Sequence, residues 1–407
     1  MRVLQINATY GAGSTGTIVA DIHNLLLSKG YESFVAYSST NISKENIVNG
    51  YKIGGKLGKK VHALLSRIGG RQGYFSRYST KKLISFIKSV KPDIVHLHNL
   101  HSNYINLNML LEYLGENDIR TVITLHDCWF YTGGCFCYTS SDCFRWLESC
   151  GNCPRRYIET PAYLYDASAK ILKDRKRYLG AIKNLDVVGV SNWVTSEAQR
   201  SILSDKNVLR IYNGIDVGFF KPILSDLRDR MKINDKFVIL GFANKWLKSI
   251  NRSLLEKLCS FLKDDMVFLL VGGEKPEGLV NSDKIITLPF INSREEMREV
   301  YSSCDVLANC TREDTFSLVN AESQACGTPV VTFSNTGAKE TVSGEYGIKV
   351  KTGDINGFLS GIETVYKNGK QAYSAGCVDF VKNNFDKQQN YLEYLKLYIG
   401  GDNDENK

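Results

Sequence analysis

The chain has 407 residues, 43% of them apolar, a net charge of +8 and only seven prolines. That is enough apolar material for two ordinary cores and too little proline for long disordered linkers. No apolar run reaches about 18 residues, which argues against a membrane-spanning helix. The opening MRVLQINATY reads as a strand and not as a secretory leader, so a cytoplasmic protein is expected.

Taken in chain order, a strand at 3–6 and a helix at 18–28 bracket GAGSTG, with Gly11, Gly13 and Gly16 in dinucleotide-fingerprint spacing. The acid that would hold an adenosine ribose about 20 residues on is missing from the next strand, FVAYSST. An NAD-dependent oxidoreductase is thereby disfavoured. The loop reads as lining a ligand cleft, or more plainly as a strand-to-helix turn with packing glycines.

Between Glu45 and Asp93 every charged side chain is basic, from Lys52 to Lys91. With Leu64, Leu65, Ile68, Tyr74 and Phe75 interleaved, this 52–91 block suits an anionic membrane surface. A solvated basic face is the plainer reading. Nucleic acid is not expected, because no helix-turn-helix or RNA-recognition signature accompanies the charge.

A helix at 81–89 and a strand at 94–98 lead into HLHNLH, where His96, His98 and His101 read as packed structural histidines or, less simply, a chelating trio. The strand at 121–125 ends at His126 and Asp127, on the carboxyl edge where α/β folds bind ligands. Six cysteines follow closely. Cys150 and Cys153, with Cys143 and either Cys135 or Cys137, could close a structural tetrathiolate zinc site, Cys135 being the first choice; reduced thiols and disulfides are the alternatives.

After a strand at 187–190, a mixed stretch at 220–235 marks a divide. The strand and helix alternation then restarts at 237–241, 267–271, 285–288, 306–308 and 330–333. Two Rossmann-like parallel-sheet domains of an α/β protein are expected, 1–220 and 221–384. The tail from 400 should fray.

In the second half, TREDTFSLVNAESQACGTPVVTF places Asp314 and Glu322 eight residues apart around a helix. Asp314 or Thr315 is expected as its N-cap and Gly327 as its C′ residue. Asp314 would sit at the helix mouth, among N–H groups that attract phosphate, and Glu322 would accept from a ribose diol. A capping Asp and a solvated Glu are the bland reading.

These segments, with VVGVSNWV, IYNGIDVGFFKP and NTGAKETVSGEYG in order, resemble glycosyltransferase family 4, in its colanic acid, capsule and exopolysaccharide branch. The resemblance spans nearly the whole chain. It implies a GT-B fold, two Rossmann-like domains facing across a cleft, with a last helix at about 385–400 packing back on the first. It also implies a retaining transferase, with no catalytic metal, moving a sugar from a UDP- or GDP-linked donor to a glycan or lipid-linked acceptor. Such an enzyme would work in surface polysaccharide biosynthesis at the inner face of the plasma membrane.

By the same resemblance His126 would meet the sugar near its 6-position, Asp314 the donor sugar and Glu322 the ribose. Phe316, Ser317 and Leu318 would line the diphosphate, Glu340 would buttress the pocket, and Gly13 would approach the donor. Gly11, Gly16 and Asp127 would line the acceptor side. One departure stands out. The family's diphosphate-gripping Lys-Gly pair is replaced by Ile250-Asn251, leaving Lys245 and Lys248, or Arg252, as candidate cations. A catalytically impaired homologue serving as a scaffold is the alternative this opens.

Overall fold

The computed structural model describes residues 1–158, 161–274 and 278–400; the tail expected to fray lies, from 401 on, outside the described residues. The chain divides into two compact units, Met1–Asn213 with Asn390–Lys407, and Gly214–Gln389.

The first unit carries strands β1 Arg2–Tyr10, β2 Glu32–Thr40, β3 Gly50–Lys52, β4 Ile94–Leu97, β5 Arg120–Leu125, β6 Leu185–Gly189 and β7 Asn207–Arg210. Its helices are α1 Gly13–Ser28, α2 Lys56–Gly69, α3 Arg77–Val90, α4 Leu107–Glu116, α5 Ser168–Ala181 and α6 Asn192–Gln199. The sheet is parallel, in the order β3-β2-β1-β4-β5-β6-β7. Central strands such as β4 are buried along their whole length, as a sheet covered on both faces requires.

The second unit carries α7 Leu227–Met231, β8 Phe237–Phe242, α8 Ala243–Trp246, α9 Arg252–Phe261, β9 Met266–Val271, β10 Ile285–Leu288, α10 Arg294–Ser303 and β11 Val306–Asn309. It continues with α11 Leu318–Ala325, β12 Val330–Phe333, β13 Ile348–Val350, α12 Ile355–Asn368, α13 Gln371–Phe385 and the start of α14 Lys387–Ile399. Its parallel sheet runs β10-β9-β8-β11-β12-β13. The core gathers Trp246, Phe268, Phe333 and Phe358 between sheet and helices.

The boundary falls a little before the expected 220/221, for a reason in the backbone. Ile215 forms a parallel bridge with Asp386, donating to Phe385 O at 2.6 Å and accepting from Lys387 N at 2.9 Å. Residues after 213 therefore belong with α13. From Asn390, α14 belongs to the first unit, where Tyr391, Tyr394 and Tyr398 enter the core with Val3, Ile22 and Val122. Tyr398 OH meets His96 Nδ1 at 2.6 Å, and Tyr394 OH meets Thr124 Oγ1 at 3.0 Å. Arg120 donates to the carbonyls of Leu397 and Tyr398 at the helix end, where orphan acceptors need donors.

Candidate functional site

Each sheet reverses its winding once, and ligands of α/β folds bind beyond the strand ends at that point. In the first unit the switch lies between β1 and β4, in the second between β8 and β11. Most of the residues singled out from the sequence stand at these two edges.

At the first edge, Gly11 and Gly13 both take φ of +66°, a region that favours glycine. A Cβ on Gly16 would come within 2.7 Å of Thr9 Oγ1, so close packing of α1 on β1 accounts for that position. Four other helices, α4, α6, α10 and α12, are capped by Asn106, Ser191, Ser293 and Asp354 side chains. The first turn of α1, behind Ala12, has no such cap.

The histidines form a chain of contacts beside this loop. His98 Nε2 meets Gln5 Oε1 at 3.2 Å and its Nδ1 meets His126 Nε2 at 3.0 Å. His96 is fully buried between Thr124 and Tyr398, so two of the HLHNLH histidines are packed structural groups. His101 Nε2 pairs with Asp127 Oδ2 at 2.9 Å, while Asp127 Oδ1 accepts from Trp129 N at 2.8 Å. Asp127 thus orients the loop and His101. Burial pushes His126 down to about 4; it is a neutral imidazole at neutral pH, able to donate from one nitrogen and accept at the other.

At the second edge the segment after β11 differs from expectation. The helix α11 starts at Leu318 behind Ser317, not behind Asp314 or Thr315. Residues before it form a loop tied to the neighbouring strand end: Asp314 N donates to Thr336 Oγ1 at 2.9 Å. Asp314 Oδ1 accepts from Phe316 N at 3.3 Å. Only Glu322 of the two carboxylates rides the helix. The C-terminal end is as read, with Gly327 at φ +76°.

A buried amide network fixes α11 from below. Asn309 Nδ2 donates to Ser317 Oγ at 3.2 Å and to Asn320 Oδ1 at 2.7 Å, and Asn320 Nδ2 reaches Thr341 Oγ1 at 3.1 Å. Phe316 packs its ring on Phe385, centroids 5.2 Å apart. Its side chain is therefore core. Ser317 is buried and Leu318 partly so, and Glu340 lies on a short turn of 3-10 helix, Gly337–Thr341.

Burial raises Asp314, against the opposing charge of Lys245 and the N–H groups of Phe316 and Thr315. Burial also pushes Glu322 up to about 7, against the Tyr301 hydroxyl at 3.0 Å and the Arg294 charge. Lys245 and Lys248 follow β8; Lys245 is partly buried and Lys248 exposed. Arg252 is taken up by Glu256 at 2.6 Å on the outside of α9.

Sequence reasoning missed Arg312. Its Nε donates to Asn251 Oδ1 at 3.0 Å and its Nη2 to Ile250 O at 3.0 Å, with the guanidinium over the Phe333 ring. Asn251 is itself held, donating to Lys245 O at 3.0 Å. A third cation therefore stands against the pair that replaces the expected Lys-Gly. The only hint in the sequence was its place two residues before Asp314.

Among the described residues no three His, Cys, Asp or Glu side chains are set to hold a metal ion. The thiols are all reduced. Cys135, Cys143, Cys150 and Cys153 nonetheless line one small cavity with Tyr138 and Trp146, which suits a tetrathiolate donor set in kind. Nearby, Arg175 donates to the Trp129 and Thr132 carbonyls, and burial pushes it down to about 10 against the opposing charges of Tyr74, Asp127, Cys150 and Cys135.

Residues 15–219 match the family model described as Glycosyltransferase Family 4, and residues 225–368 that described as Glycosyl transferases group 1. WcaC of Escherichia coli (strain K12), which carries the name of a colanic acid biosynthesis glycosyl transferase, is 22% identical over 368 residues, 87% of this chain and 88% of that one. A D-inositol 3-phosphate glycosyltransferase of Mycobacterium sp. (strain KMS) is 25% identical over 42% of each chain. Among solved structures, sucrose-phosphate synthase from Thermosynechococcus elongatus superimposes with a TM-score of 0.70 at 16% identity, covering 98% of both chains. Anabaena HepE in complex with UDP does so at 0.67 and 15%, covering 98% of this chain and all of that one. These likenesses show the GT-B fold.

Proposed function

Since the chain belongs to glycosyltransferase family 4, we propose that it moves a sugar from a nucleoside-diphosphate donor to a glycan acceptor carried on a lipid, retaining the anomeric configuration, in surface polysaccharide synthesis. The observation that carries this reading is the cluster at the β8 and β11 ends, where Lys245, Arg312 and Asp314 stand ahead of α11 and Glu322. UDP is the favoured nucleotide, because a fold relative binds it; GDP is the second choice.

In this reading the donor lies against the second unit. Lys245, Lys248 and Arg312 offset the charge that grows on the leaving diphosphate, helped by backbone N–H groups of 316–318. Glu322 accepts from the ribose diol and Asp314 from sugar hydroxyls, and Glu340 supports the pocket wall. His126, neutral at working pH, supplies hydrogen bonds to the transferred sugar, with Gly11, Gly13, Gly16 and Asp127 shaping its surroundings. No metal takes part in the chemistry. The cysteine cavity is proposed as a structural zinc site only. The 52–91 block is proposed to bring the protein to an anionic membrane face.

Arg312, seated on Asn251, is why we favour an active enzyme over an impaired scaffold. A thermal-shift panel of UDP, GDP, ADP, TDP and CMP tests this, because a ligand of the folded state raises the melting temperature. Selective stabilisation by UDP or GDP is expected, and the anomeric coupling of the product sugar should match the donor's. A folded protein indifferent to all five nucleotides would leave the scaffold reading in place.

A further inference from the structure

Adjoining the cysteine cavity, with which it shares Gly133, Cys135, Cys153 and Ser168, the first unit contains a cavity of about 120 Å³ between α2, the loop around Trp129 and Gly133, and residues 153–156 and 161–168. Three polar atoms of lining residues, Ser66 Oγ, Asn103 Oδ1 and Ser168 Oγ, are buried without a hydrogen-bond partner. Ser66 and Ser168 are only 8% and 7% exposed. Buried polar groups left unpaired are costly and uncommon, so three around one cavity point to a polar occupant.

The charge of the lining says which kind. Among the described residues Arg67, Arg155 and Arg156 line it against a single acid, Asp166. That carboxylate already accepts from Cys153 N at 2.8 Å and Ser168 N at 2.9 Å. Guanidinium and hydroxyl donors together recognise phosphate oxygens.

The helix α2 carries three rows. Ala63, Ser66 and Arg67 line the cavity. Lys56, Lys60 and Arg67 form a basic row at helical spacing. Leu57, Val61, Leu64, Leu65 and Ile68 form an outward row, 39% to 77% exposed. Tyr163 and Leu164 join that surface, their N–H groups donating to Arg67 O at 2.7 Å and Ile68 O at 3.3 Å, and both are at least 60% exposed. An apolar row beside a basic one is the pattern of a helix lying in a membrane interface.

We propose that this cavity takes the phosphate or diphosphate of a lipid-linked acceptor, while the outward row of α2 rests among the acyl chains of an anionic bilayer. The assignment rests on the glycosyl-transfer reading and names its acceptor chemistry. Arg67, shared by the cavity and the basic row, meets the phosphate, and the lipid tail leaves along the apolar row.

The test is calorimetry of the full chain with farnesyl diphosphate, inorganic pyrophosphate and farnesol, beside the UDP thermal shift. Farnesyl diphosphate should bind at least about tenfold more tightly than either of the others, and Arg67→Gln and Asn103→Asp should each weaken it about tenfold with the UDP response intact. The double change Ser66→Ala with Ser168→Ala removes two unpaired hydroxyls, so it should fold at least as well and still bind more weakly. Undiminished binding in these variants, or none in a wild-type chain that responds to UDP, overturns the cavity assignment. Pyrophosphate binding as tightly as the prenyl ester overturns the lipid source. A wild-type chain deaf to UDP would instead strike the transfer reading. For the membrane row, flotation with phosphatidylglycerol vesicles should fall about tenfold in Leu64→Glu with Ile68→Glu, and unchanged flotation removes that part.

Discussion

Glu322, proposed above as the ribose acceptor, is a carboxylate kept buried at a cost. Its folded value of about 7 lies above the ordinary 4.5 because burial disfavours the carboxylate. Between those two values the folded chain holds a proton that the unfolded chain has released, so this group's contribution to stability falls as pH rises through the window and stays lost above it. Glu322→Gln should therefore stabilise the protein at about pH 8 by an amount on the order of 3 kcal/mol, and hardly at about pH 4.5. The same change should weaken UDP binding, because a neutral amide oxygen is a weaker acceptor for the ribose hydroxyls than a carboxylate. Equal effects on melting at the two pH values would refute the burial account. Arg312→Gln should likewise weaken UDP about tenfold, since a charge-assisted contact is worth roughly 1.5–3 kcal/mol; an unaltered affinity would exclude Arg312 from the diphosphate site. Of these two residues the sequence displayed only Glu322, through its place in a helix between a loop and a C′ glycine. Arg312 was hidden because its partner Asn251 is 61 positions away. Asp314 was placed wrongly because a short acid ahead of a helix looks like a cap, while Thr336 in fact ties it into a loop.

At the level of elements, the central strands were readable because strands buried on both faces become continuous apolar runs. The edge strands β3, β7 and β13 were not, being three or four residues long and half exposed. The stretch from His126 to Ala167 has only three-residue 3-10 turns among its described residues, so its order depends on side chains. If zinc closes the four thiols, protein purified under reducing conditions should carry about one zinc per chain, lost in Cys150→Ser and in Cys153→Ser with a lower melting temperature. Metal-free protein with four titratable thiols would refute the site. For α14 the ties are the tyrosines. Tyr398→Phe strands the His96 nitrogen it meets at 2.6 Å and should cost about 1–3 kcal/mol, whereas Lys396→Ala, an exposed change, should cost almost nothing. Equal effects would show that the buried contact does not hold the helix.

Over the whole molecule the two units answer acid in opposite ways. All six histidines lie in the first unit, and burial lowers five of them: His23, His62, His96, His98 and His126. A folded state that refuses protons below about pH 6.5 loses stability as pH falls toward 4. In the second unit burial raises Asp314 and Glu322, which gain stability over part of the same range. Calorimetry from about pH 7.5 to about pH 5 should thus show one transition moving down while the other holds or rises, and hydrogen exchange should assign the first to residues 1–213. Parallel movement of both would contradict the pKa asymmetry. The return of α14 has a further consequence, for synthesis on the ribosome. Residues 214–389 can emerge and fold as a unit while the strands made before them still lack Tyr391, Tyr394 and Tyr398. The half translated first is therefore completed last, and until the final turns leave the exit tunnel its sheet presents an open apolar face for chaperones to cover.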